Sequence, residues 1–346
     1  MGERLLDIED LQVSFATEDG VVQAVDGVSF TLDRGEVVAI VGESGSGKSV
    51  TVMTLMGLTR SPNARFAGSA RLTGRDLVTA SEKELESIRG QEIAMIFQDP
   101  ISSLSPVHRI GSQIVEQIRA HEKISKAEAL DRAVELMERV GIPRARERAR
   151  AYPHEFSGGM RQRVMIAMAL SLSPGVLIAD EPTTALDVTI QAQILKEIAQ
   201  LSKDDNSGVI FVTHDLGVVA DIADRVLVMY AGQVIEQGSL DEIFYDPQHP
   251  YTWGLLGSVT RMDREPPRRL PAIPGQPPSL VRPPQGCHFG PRCPHAFERC
   301  HEVPALESHV PEAPEHKDRC WLELSEKRAR REVDGRIGLS QGSVVA

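Results

Sequence analysis

Two patterns of hydrophobic and polar positions distinguish the first 35 residues from the chain that follows. In the stretches LLDIEDLQVSF and VVQAVDGVSFTL apolar and polar residues alternate, and the turn signals EDG and DG interrupt them. Alternation with a period of two places one face of a strand on a core and the other in solvent, and short Gly-containing breaks favour hairpins. The opening pattern therefore predicts antiparallel strands.

Five short, nearly continuous apolar runs follow, each with the length of a strand. They are VVAIV at 37–41, IAMIF at 93–97, VLIA at 176–179, VIFVT at 209–213 and VLVMY at 226–230. A strand without polar alternation is covered on both faces, which is typical of a parallel sheet between helices. Two helical stripes between the runs support this α/β interpretation. They comprise Leu130, Ala133, Val134, Met137 and Val140, and Ile190, Ile194, Leu195, Ile198 and Leu201.

The chain divides into three parts by its sequence character. Residues 99–172 are mostly helical by pattern and separate the second apolar run from the third, which predicts a helical subdomain inserted into the sheet domain. From about residue 262 the stretch EPPRRLPAIPGQPPSLVRPPQG is dense in proline and predicts an extended connector. We therefore expect one domain at 1–250, an extension at 251–322, and a charged, flexible tail at 323–346.

Composition limits the classes of function. The 346 residues carry 38 Lys and Arg against 49 Asp and Glu, a net charge of −11, whereas nucleic-acid binding usually requires a basic face. No apolar run approaches the roughly 18 residues of a membrane-spanning helix, and the start MGERLLDIED lacks an apolar export segment. We expect a soluble, cytosolic protein that binds no nucleic acid and that docks, if at all, peripherally on a membrane protein.

The motif with the most specific spacing is GESGSGKS at 42–49, between the run VVAIV and a helical pattern. It matches G-x-x-x-x-G-K-[ST], in which glycines let backbone N–H groups converge on phosphate oxygens at a helix N-terminus. We expect Lys48 to reach the β- and γ-phosphates of a nucleoside triphosphate and the Ser49 hydroxyl to ligate Mg²⁺. The residues predicted to bind the nucleotide are Gly42, Ser44, Gly45, Ser46, Gly47, Lys48, Ser49 and Val50.

Polar side chains stand at the ends of three further apolar runs. Gln98 ends IAMIF, Asp180 and Glu181 end VLIA, and His214 ends VIFVT. A lone Gln or His is more often a satisfied loop residue, but the carboxyl ends of parallel strands meet at one crevice. We therefore predict that Asp180 holds Mg²⁺ through water, that Glu181 polarises an attacking water, and that His214 contacts the γ-phosphate. We assign Gln98 to the same catalytic site as a Mg²⁺ ligand.

The chain has no cysteine before residue 287. Its four cysteines, in the spacing C-x5-C-x6-C-x19-C, are Cys287, Cys293, Cys300 and Cys320. Structural disulfides are not expected in a reducing cytosol. Four thiolates favour an all-thiolate site with an iron–sulfur cluster or Zn²⁺, although no zinc-finger C-x2-C pair is present; four unliganded thiols are the remaining interpretation. Three nearby histidines are expected outside the ligand set, with zinc ligation the minority option: His288, His295 and His301.

The stretch EFSGGMRQRVMIAMAL at 155–170 carries a family resemblance. Together with GESGSGKS, Gln98, LIADEP, TALD at 184–187 and TH, it resembles the motif order of ATP-binding cassette (ABC) ATPases over roughly residues 5–250. Two positions depart from the usual signature, since Phe156 replaces Leu and Met160 replaces Gln. The resemblance implies the α/β fold of a P-loop NTPase of the ABC ATPase class, with a parallel sheet core, an antiparallel β subdomain and an inserted helical subdomain.

The SGG segment offers a hydroxyl and N–H groups at a helix N-terminus, which is an anion site distant from the chain's own phosphate loop. The resemblance implies that two ATPases pack head-to-tail, so that each ATP lies between one phosphate loop and Ser157, Gly158 and Gly159 of the other chain. TALD would follow this interface, and hydrolysis would loosen the pair. In this family an aromatic residue before the loop stacks on adenine; Phe15 is the candidate, and Phe30 is expected in the core.

The C-terminal part resembles a narrower group. HPYTWGLL at 249–256, PGQPPSLV and GCHFGPRCPHAFERC are similar to the extension of ATPases that serve bacterial dipeptide and oligopeptide importers. In that group the four cysteines are associated with a [4Fe–4S] cluster, so the resemblance implies this cofactor beside ATP and Mg²⁺. It also implies a second, related but distinct ATPase, two membrane permeases contacted near residues 99–110, an extracytoplasmic peptide-binding protein, and a place on the cytoplasmic face of the membrane.

Two other functions stay open. One is a soluble ABC ATPase of repair, translation or cluster assembly, and the other is a regulator in which the cluster senses redox state. The long coiled-coil inserts, tandem cassettes or basic surfaces of the first group do not occur in this sequence, and Glu181 and His214 argue against a degenerate enzyme. The leading prediction is therefore an ATPase that powers peptide import.

Overall fold

The computed structural model describes residues 2–99, 103–182, 194–195, 197–200, 203–258 and 273–333. The TALD motif at 184–187, Ile190 and Leu201 of the second helical stripe, the first eight residues of the proline-rich connector (265–272) and the end of the tail lie outside these residues. Within the described ranges, no helix combines the length and the apolar character needed to cross a bilayer.

The described strands form two sheets. They are β1 Arg4–Thr17, β2 Gly20–Asp33, β3 Val37–Val41, β4 Ala64–Leu72, β5 Arg75–Asp76, β6 Ile93–Ile96, β7 Val176–Asp180, β8 Gly208–Thr213, β9 Arg225–Tyr230, β10 Gln233–Ser239 and β11 Lys317–Asp318. Four of them form an antiparallel sheet in the order β2-β1-β4-β5, so the prediction from the alternating pattern is confirmed. The other seven form a mixed sheet in the order β11-β10-β9-β3-β8-β7-β6.

The five apolar runs of the sequence are five neighbouring parallel strands of the mixed sheet. β3 lies between β8 and β9, and β7 lies between β8 and β6. Every residue of β3, β6, β7 and β8 is buried, as expected for strands covered on both faces. The order in the sheet differs from the order in the chain, and the loops after these strands open at the shared carboxyl edge, where ligands bind in sheets of this kind.

The helical part of the chain is inserted between β6 and β7. The described helices are α1 Lys48–Leu55, α2 Glu82–Ile88, α3 Ile110–His121, α4 Lys126–Arg139, α5 Ala145–Arg148, α6 Gly158–Ala169, α7 Leu216–Ile222, α8 Leu240–Tyr245, α9 Pro250–Ser258 and α10 Leu324–Val333. Helices α3 to α6 share a core that reaches the sheet through Leu177 and Phe211. A capping box between Ser125 and Glu128 begins α4. Leu130, a member of the predicted stripe, is 38% exposed, which corrects the start of that stripe.

A second core fixes the position of α1. The helix lies between the antiparallel sheet and the parallel strands, with Val52 and Leu55 fully buried. Phe30 is part of this core, as predicted. Because both sides of α1 are packed, the loop that precedes it is held at the carboxyl edge of the sheet.

The end of the described chain folds back on the sheet domain. β11 pairs with β10 at the sheet edge, and Phe289 packs with Tyr230 and Tyr251 in an aromatic cluster. In α10 the ammonium of Lys327 donates to both oxygens of Asp318 at 2.7 and 2.8 Å, and both side chains are 1% exposed. The flexible tail predicted from residue 323 therefore begins with a docked helix, because a lysine in this charged stretch has a buried carboxylate as its partner.

Candidate nucleotide site and four-thiol cavity

The loop between β3 and α1 has a backbone that requires glycine at two positions. Gly42 has φ 154° and Gly47 has φ 101°. A Cβ at Gly42 would lie 2.2 Å from the carbonyl oxygen of Met229, and one at Gly47 would lie 2.4 Å from that of Ala24. The loop is thus packed against the backbones of β9 and β2, which fixes the start of α1 and its unsatisfied N–H groups.

Lys48 spans this loop with a buried side chain. Its Nζ donates to the carbonyl oxygens of Gly42 at 2.8 Å and of Glu43 at 3.0 Å. Burial lowers the pKa of Lys48, and three nearby carboxylates oppose that shift. An ammonium with three donors, two of them directed at loop carbonyls, is placed to bind a phosphate oxygen over the same loop.

A buried hydroxyl of the loop has no partner. Ser46 is 4% exposed, and its Oγ makes no hydrogen bond within the described residues. Buried polar groups in native proteins are nearly always satisfied, so an orphaned hydroxyl in a phosphate loop fits a ligand oxygen. Val50, also predicted at the nucleotide, packs partly buried against the second core.

Ser49 and Asp180 form a pair of oxygen donors beside the loop. Ser49 Oγ donates to Asp180 Oδ1 at 3.0 Å, and Asp180, at the end of β7, is 2% exposed. Burial raises the pKa of Asp180, whereas the hydrogen bond from Ser49 lowers it. A hydroxyl and a carboxylate at this spacing are the kind of ligands that Mg²⁺ takes in triphosphate sites.

Three strand ends meet at Glu181. Gln98 Nε2 donates to Glu181 Oε2 at 2.9 Å, and Nδ1 of His214 lies 3.2 Å from Oε1. Glu181 has φ 44°, an uncommon backbone for a residue other than glycine, and its N–H donates to the carbonyl of Val212 at 2.9 Å. The structure thus brings together the residues that follow β6, β7 and β8, although their chemical roles stay predictions.

The SGG segment lies on the helical subdomain. Ser157 is the N-cap of α6, and its Oγ accepts the N–H of Met160 at 3.4 Å. A Cβ built on Gly158 would meet no atom within 4 Å, so the helix start is open to solvent. Phe156, one departure from the usual signature, is 3% exposed and packs in the helical core, which explains why an apolar residue of different shape is accommodated.

Phe15 lies on β1 opposite Val22 of β2. Its ring is half-buried and packs against the second core, so part of its surface stays accessible. The stacking of Phe15 on adenine stays a prediction.

The four cysteines line a single small pocket. Three of the sulfurs accept a hydrogen bond from the backbone N–H of the residue two positions later. The donors are Phe289 for Cys287, His295 for Cys293 and Leu322 for Cys320. Burial raises the pKa of Cys293 and of Cys320 to about 12, so these two thiols stay protonated at neutral pH unless a cation binds them.

Within the described ranges, no group of three or more His, Cys, Asp or Glu side chains is arranged to hold a metal ion. The metal site that the cysteine spacing predicted is therefore not supported by this arrangement, neither with iron and sulfide nor with zinc. His288 is turned away, since its Nδ1 lies 2.9 Å from the carbonyl oxygen of Ala231. His295 lines the cavity, whereas His301 is exposed.

Sequence reasoning missed two residues that connect the extension with the phosphate loop. Arg292 donates to both carboxylate oxygens of Glu43 at 2.6 and 3.1 Å, across 249 positions of sequence. The hydroxyl of Tyr251 accepts the N–H of Glu43 at 2.9 Å. Glu43 occupies a position of the phosphate-loop motif at which any residue is allowed. Neither Arg292 nor Tyr251 belongs to a periodic pattern that would have predicted its contact with Glu43.

A phosphate loop after one parallel strand, with carboxylates at the end of a neighbouring strand, is the core of P-loop NTPases. The helical subdomain with SGG at a helix start, inserted between β6 and β7, narrows this class to the ABC ATPases. Comparison with family models agrees. Residues 25–184 match the model "ABC transporter", and residues 235–300 match "Oligopeptide/dipeptide transporter, C-terminal region".

Individual relatives agree with both models. The oligopeptide transport ATP-binding protein OppD of Bacillus subtilis (strain 168) is 58% identical over 296 residues, which cover 85% of this chain and 83% of that protein. The dipeptide transport ATP-binding protein DppD of Lactococcus lactis subsp. cremoris is 52% identical over 325 residues, 92% and 91% of the two chains. The chain belongs to the family of ATP-binding proteins of oligopeptide and dipeptide ABC transporters.

The solved structures agree on the fold. A dimeric post-hydrolysis state of the ATP-binding cassette MJ0796, bound to ADP and Pi, matches with a TM-score of 0.61 and 26% identity. The match covers 68% of this chain and 98% of that one.

Proposed function

We propose that the chain binds and hydrolyses ATP to power the import of dipeptides or oligopeptides through a membrane ABC transporter. The contact of Glu181 with Gln98 and His214, in a chain whose relatives are named as peptide-transport ATP-binding proteins, is the observation that carries this proposal. A soluble ATPase of repair, translation or cluster assembly is not favoured, because residues 235–300 match the C-terminal region of peptide transporters.

The phosphate loop and Lys48 hold the triphosphate in this proposal, and a phosphate oxygen becomes the partner of the Ser46 hydroxyl. Ser49 and Gln98 would ligate Mg²⁺ and Asp180 would hold it through water, and the ion would neutralise charge on the phosphates. Because the amide nitrogen of Gln98 donates to Glu181, its amide oxygen is the atom left to ligate a cation.

Glu181 is the general base in this proposal, because its carboxylate stands at the strand edge between two polar partners. His214 contacts the γ-phosphate, and Phe15 stacks on the adenine ring. These roles require ATP to lie between the phosphate loop and the carboxyl edge of the sheet, where Glu181 and His214 meet.

Two ATPase chains close on two ATP molecules. The SGG segment starts α6 on the helical subdomain, whereas the phosphate loop starts α1 under the antiparallel sheet, so the two anion sites lie on different parts of the chain. In the proposal, Ser157, Gly158 and Gly159 of one chain complete the site of the other, with TALD along the interface. The dimeric MJ0796 structure supports the pairing of two cassettes, and the resemblance to peptide-importer ATPases is the ground for a second chain that is related but distinct.

The permease subunits dock on the cleft between the sheet domain and the helical subdomain. A pocket opens there and is lined mainly by apolar side chains, among them Met56, Met165 and Met168. Methionine side chains adapt to partners of different shape. Two permeases, an extracytoplasmic peptide-binding protein and a peripheral place on the cytoplasmic face of the membrane complete the proposal.

The four cysteines hold a [4Fe–4S] cluster in the same proposal. This part of the proposal rests on the cluster that the resemblance implies and on the four thiols that line one pocket, three of them beside backbone N–H groups. The cluster, when bound, supplies the cationic centre that keeps these thiols ionised.

The test is ATP hydrolysis in vesicles that contain this chain, its partner ATPase and the two permeases. We expect a peptide-loaded binding protein to stimulate hydrolysis, and we expect Glu181→Gln to abolish the stimulated rate. Glu18→Gln, a change of an exposed carboxylate in the β1–β2 turn, is the matched control and retains the rate. A rate that ignores the peptide, or a chain that never associates with the permeases, would overturn the proposed function.

A further inference from the structure

Arg292 is buried at the contact between the extension and the ATPase core. It ends the short 3-10 turn Gly290–Arg292, between Cys287 and Cys293, and its side chain is 5% exposed. The guanidinium donates to both carboxylate oxygens of Glu43, which is the bidentate geometry of a strong, oriented ion pair.

The other contacts of Arg292 fix the direction of its side chain. Nε donates to the carbonyl of Pro274 at 2.9 Å and Nη2 to that of Ile273 at 3.2 Å, both in the extension. Nη1 also donates to the hydroxyl of Tyr230 at 3.3 Å, and the guanidinium lies 5.7 Å from the centre of that ring. The arginine therefore cannot turn away from Glu43 without breaking several contacts at once.

Glu43 is a junction of the phosphate loop. Its carbonyl accepts Nζ of Lys48 at 3.0 Å and the N–H of Ser46 at 3.2 Å. Its own N–H donates to the hydroxyl of the fully buried Tyr251 at 2.9 Å. The backbone of Glu43 thus helps to place two residues that face the triphosphate in the proposed function, and its carboxylate is held by Arg292.

We propose that Arg292 is a positioning residue for ATP binding: by pairing with Glu43, it fixes the phosphate loop and neutralises a carboxylate that would otherwise repel the triphosphate. Without the arginine, a half-buried negative charge would remain within the loop, where the interaction between charges is screened less than in water. This inference rests on the proposed function, because it assigns the loop to ATP.

The experiment measures ATP affinity by calorimetric titration of the full chain, together with kcat and KM for hydrolysis in the assembled transporter. Arg292→Met keeps much of the side-chain volume and removes the cation. We expect it to weaken ATP binding by about tenfold or more, which is the scale for truncating one partner of a buried charge pair. Since Arg292 lies away from the reacting atoms, KM rises while kcat changes little.

Arg331→Met is the matched control. Arg331 lies in the same extension, is 15% exposed, and pairs with Asp246 rather than with the loop. The variant Arg331→Met therefore loses a comparable ion pair, and we expect its affinity for ATP to stay at the wild-type value. The double variant Glu43→Gln/Arg292→Met should bind ATP more tightly than Arg292→Met alone, because the unpaired charge is gone.

Two results would overturn the inference. One is wild-type affinity in Arg292→Met, and the other is an equal loss in Arg292→Met and Arg331→Met with no recovery in the double variant. Failure of the proposed function has a different signature, since the unmodified chain would then not bind ATP at all.

Discussion

Replacing Lys327 with methionine tests whether α10 fastens the four-thiol extension to the sheet. The ammonium of Lys327 contacts both oxygens of Asp318, which belongs to β11, and Cys320 follows two residues later. Methionine retains most of the apolar stem but no charge. Asp318 then keeps the imidazole of His309, whose Nδ1 lies 2.9 Å from its Oδ2.

The expected cost follows from burial. Exposed ion pairs contribute about 0–1 kcal/mol, whereas removing one partner of a buried pair costs about 3–5 kcal/mol. Both side chains are 1% exposed, so the second range applies. Because His309 remains beside Asp318, we expect the lower end, about 3 kcal/mol.

The loss depends on pH with a definite sign. Burial alone would raise the pKa of Asp318, but His309 and Lys327 lower it below its usual 3.8. The pair therefore stabilises the fold above that pH, and the contribution disappears as pH falls through the folded pKa. Lys327→Met loses the part of this lowering that the ammonium supplies, so Asp318 is protonated at higher pH than in wild type and the difference between the two proteins narrows in acid.

Hydrogen exchange followed by mass spectrometry measures this locally. About 3 kcal/mol corresponds to roughly a hundredfold faster exchange in residues 317–333. Arg328→Met is the control, since Arg328 is 48% exposed and pairs with Asp246 at 3.2 Å. Unchanged exchange in Lys327→Met, or an equal increase in Arg328→Met, would refute the reasoning.

Four further predictions concern the site and its surroundings. Glu181→Gln should keep ATP binding, slow hydrolysis by about a hundredfold or more, and give ATP-dependent pairs, checked by phosphate release and size-exclusion chromatography. Gly47→Ala should abolish ATP binding in calorimetry, because its Cβ would lie 2.4 Å from the carbonyl oxygen of Ala24. Protein purified without oxygen should absorb near roughly 400 nm and contain iron and sulfide, whereas colourless protein with stoichiometric zinc would contradict the cluster. Burial lowers the pKa of His316, but Glu236 together with Glu242 and Asp318 more than offsets this, and the pKa is raised above 6.5. The stability that charged His316 contributes is present below pH 6.5 and is lost as pH rises through the folded pKa, so His316→Gln should remove that pH dependence from urea unfolding.

The parallel core could be predicted because its signal is local. Strands β3, β7 and β8 coincide with apolar runs to within about a residue, since a strand covered on both faces excludes polar side chains. The meeting of Gln98, Glu181 and His214 followed from the same signal. Each residue ends a buried strand, and the carboxyl ends of parallel strands share one edge.

The contacts of the extension could not be predicted in this way. Strand β11 has two residues and no periodicity, and Arg292 and Lys327 stand in charged or proline-rich sequence that is usually exposed. Their role depends on partners that only the folded chain brings near, in the case of Glu43 across 249 positions. The cysteine spacing correctly predicted that the four thiols lie together. It could not predict the distances between their sulfurs.

The boundary at residue 250 separates two sequence compositions, but buried polar contacts cross it. Glu236 of β10 is fully buried, and its carboxylate accepts the N–H groups of Gln248 and His249 while Nε2 of His316 lies 2.9 Å away. A buried carboxylate that lacks donors costs several kcal/mol, and one of these partners comes from the extension. The buried carboxylate at this edge of the sheet therefore has all of these partners only when the extension packs against the sheet. The same extension also pairs with Glu43 of the phosphate loop, through Arg292 directly before Cys293.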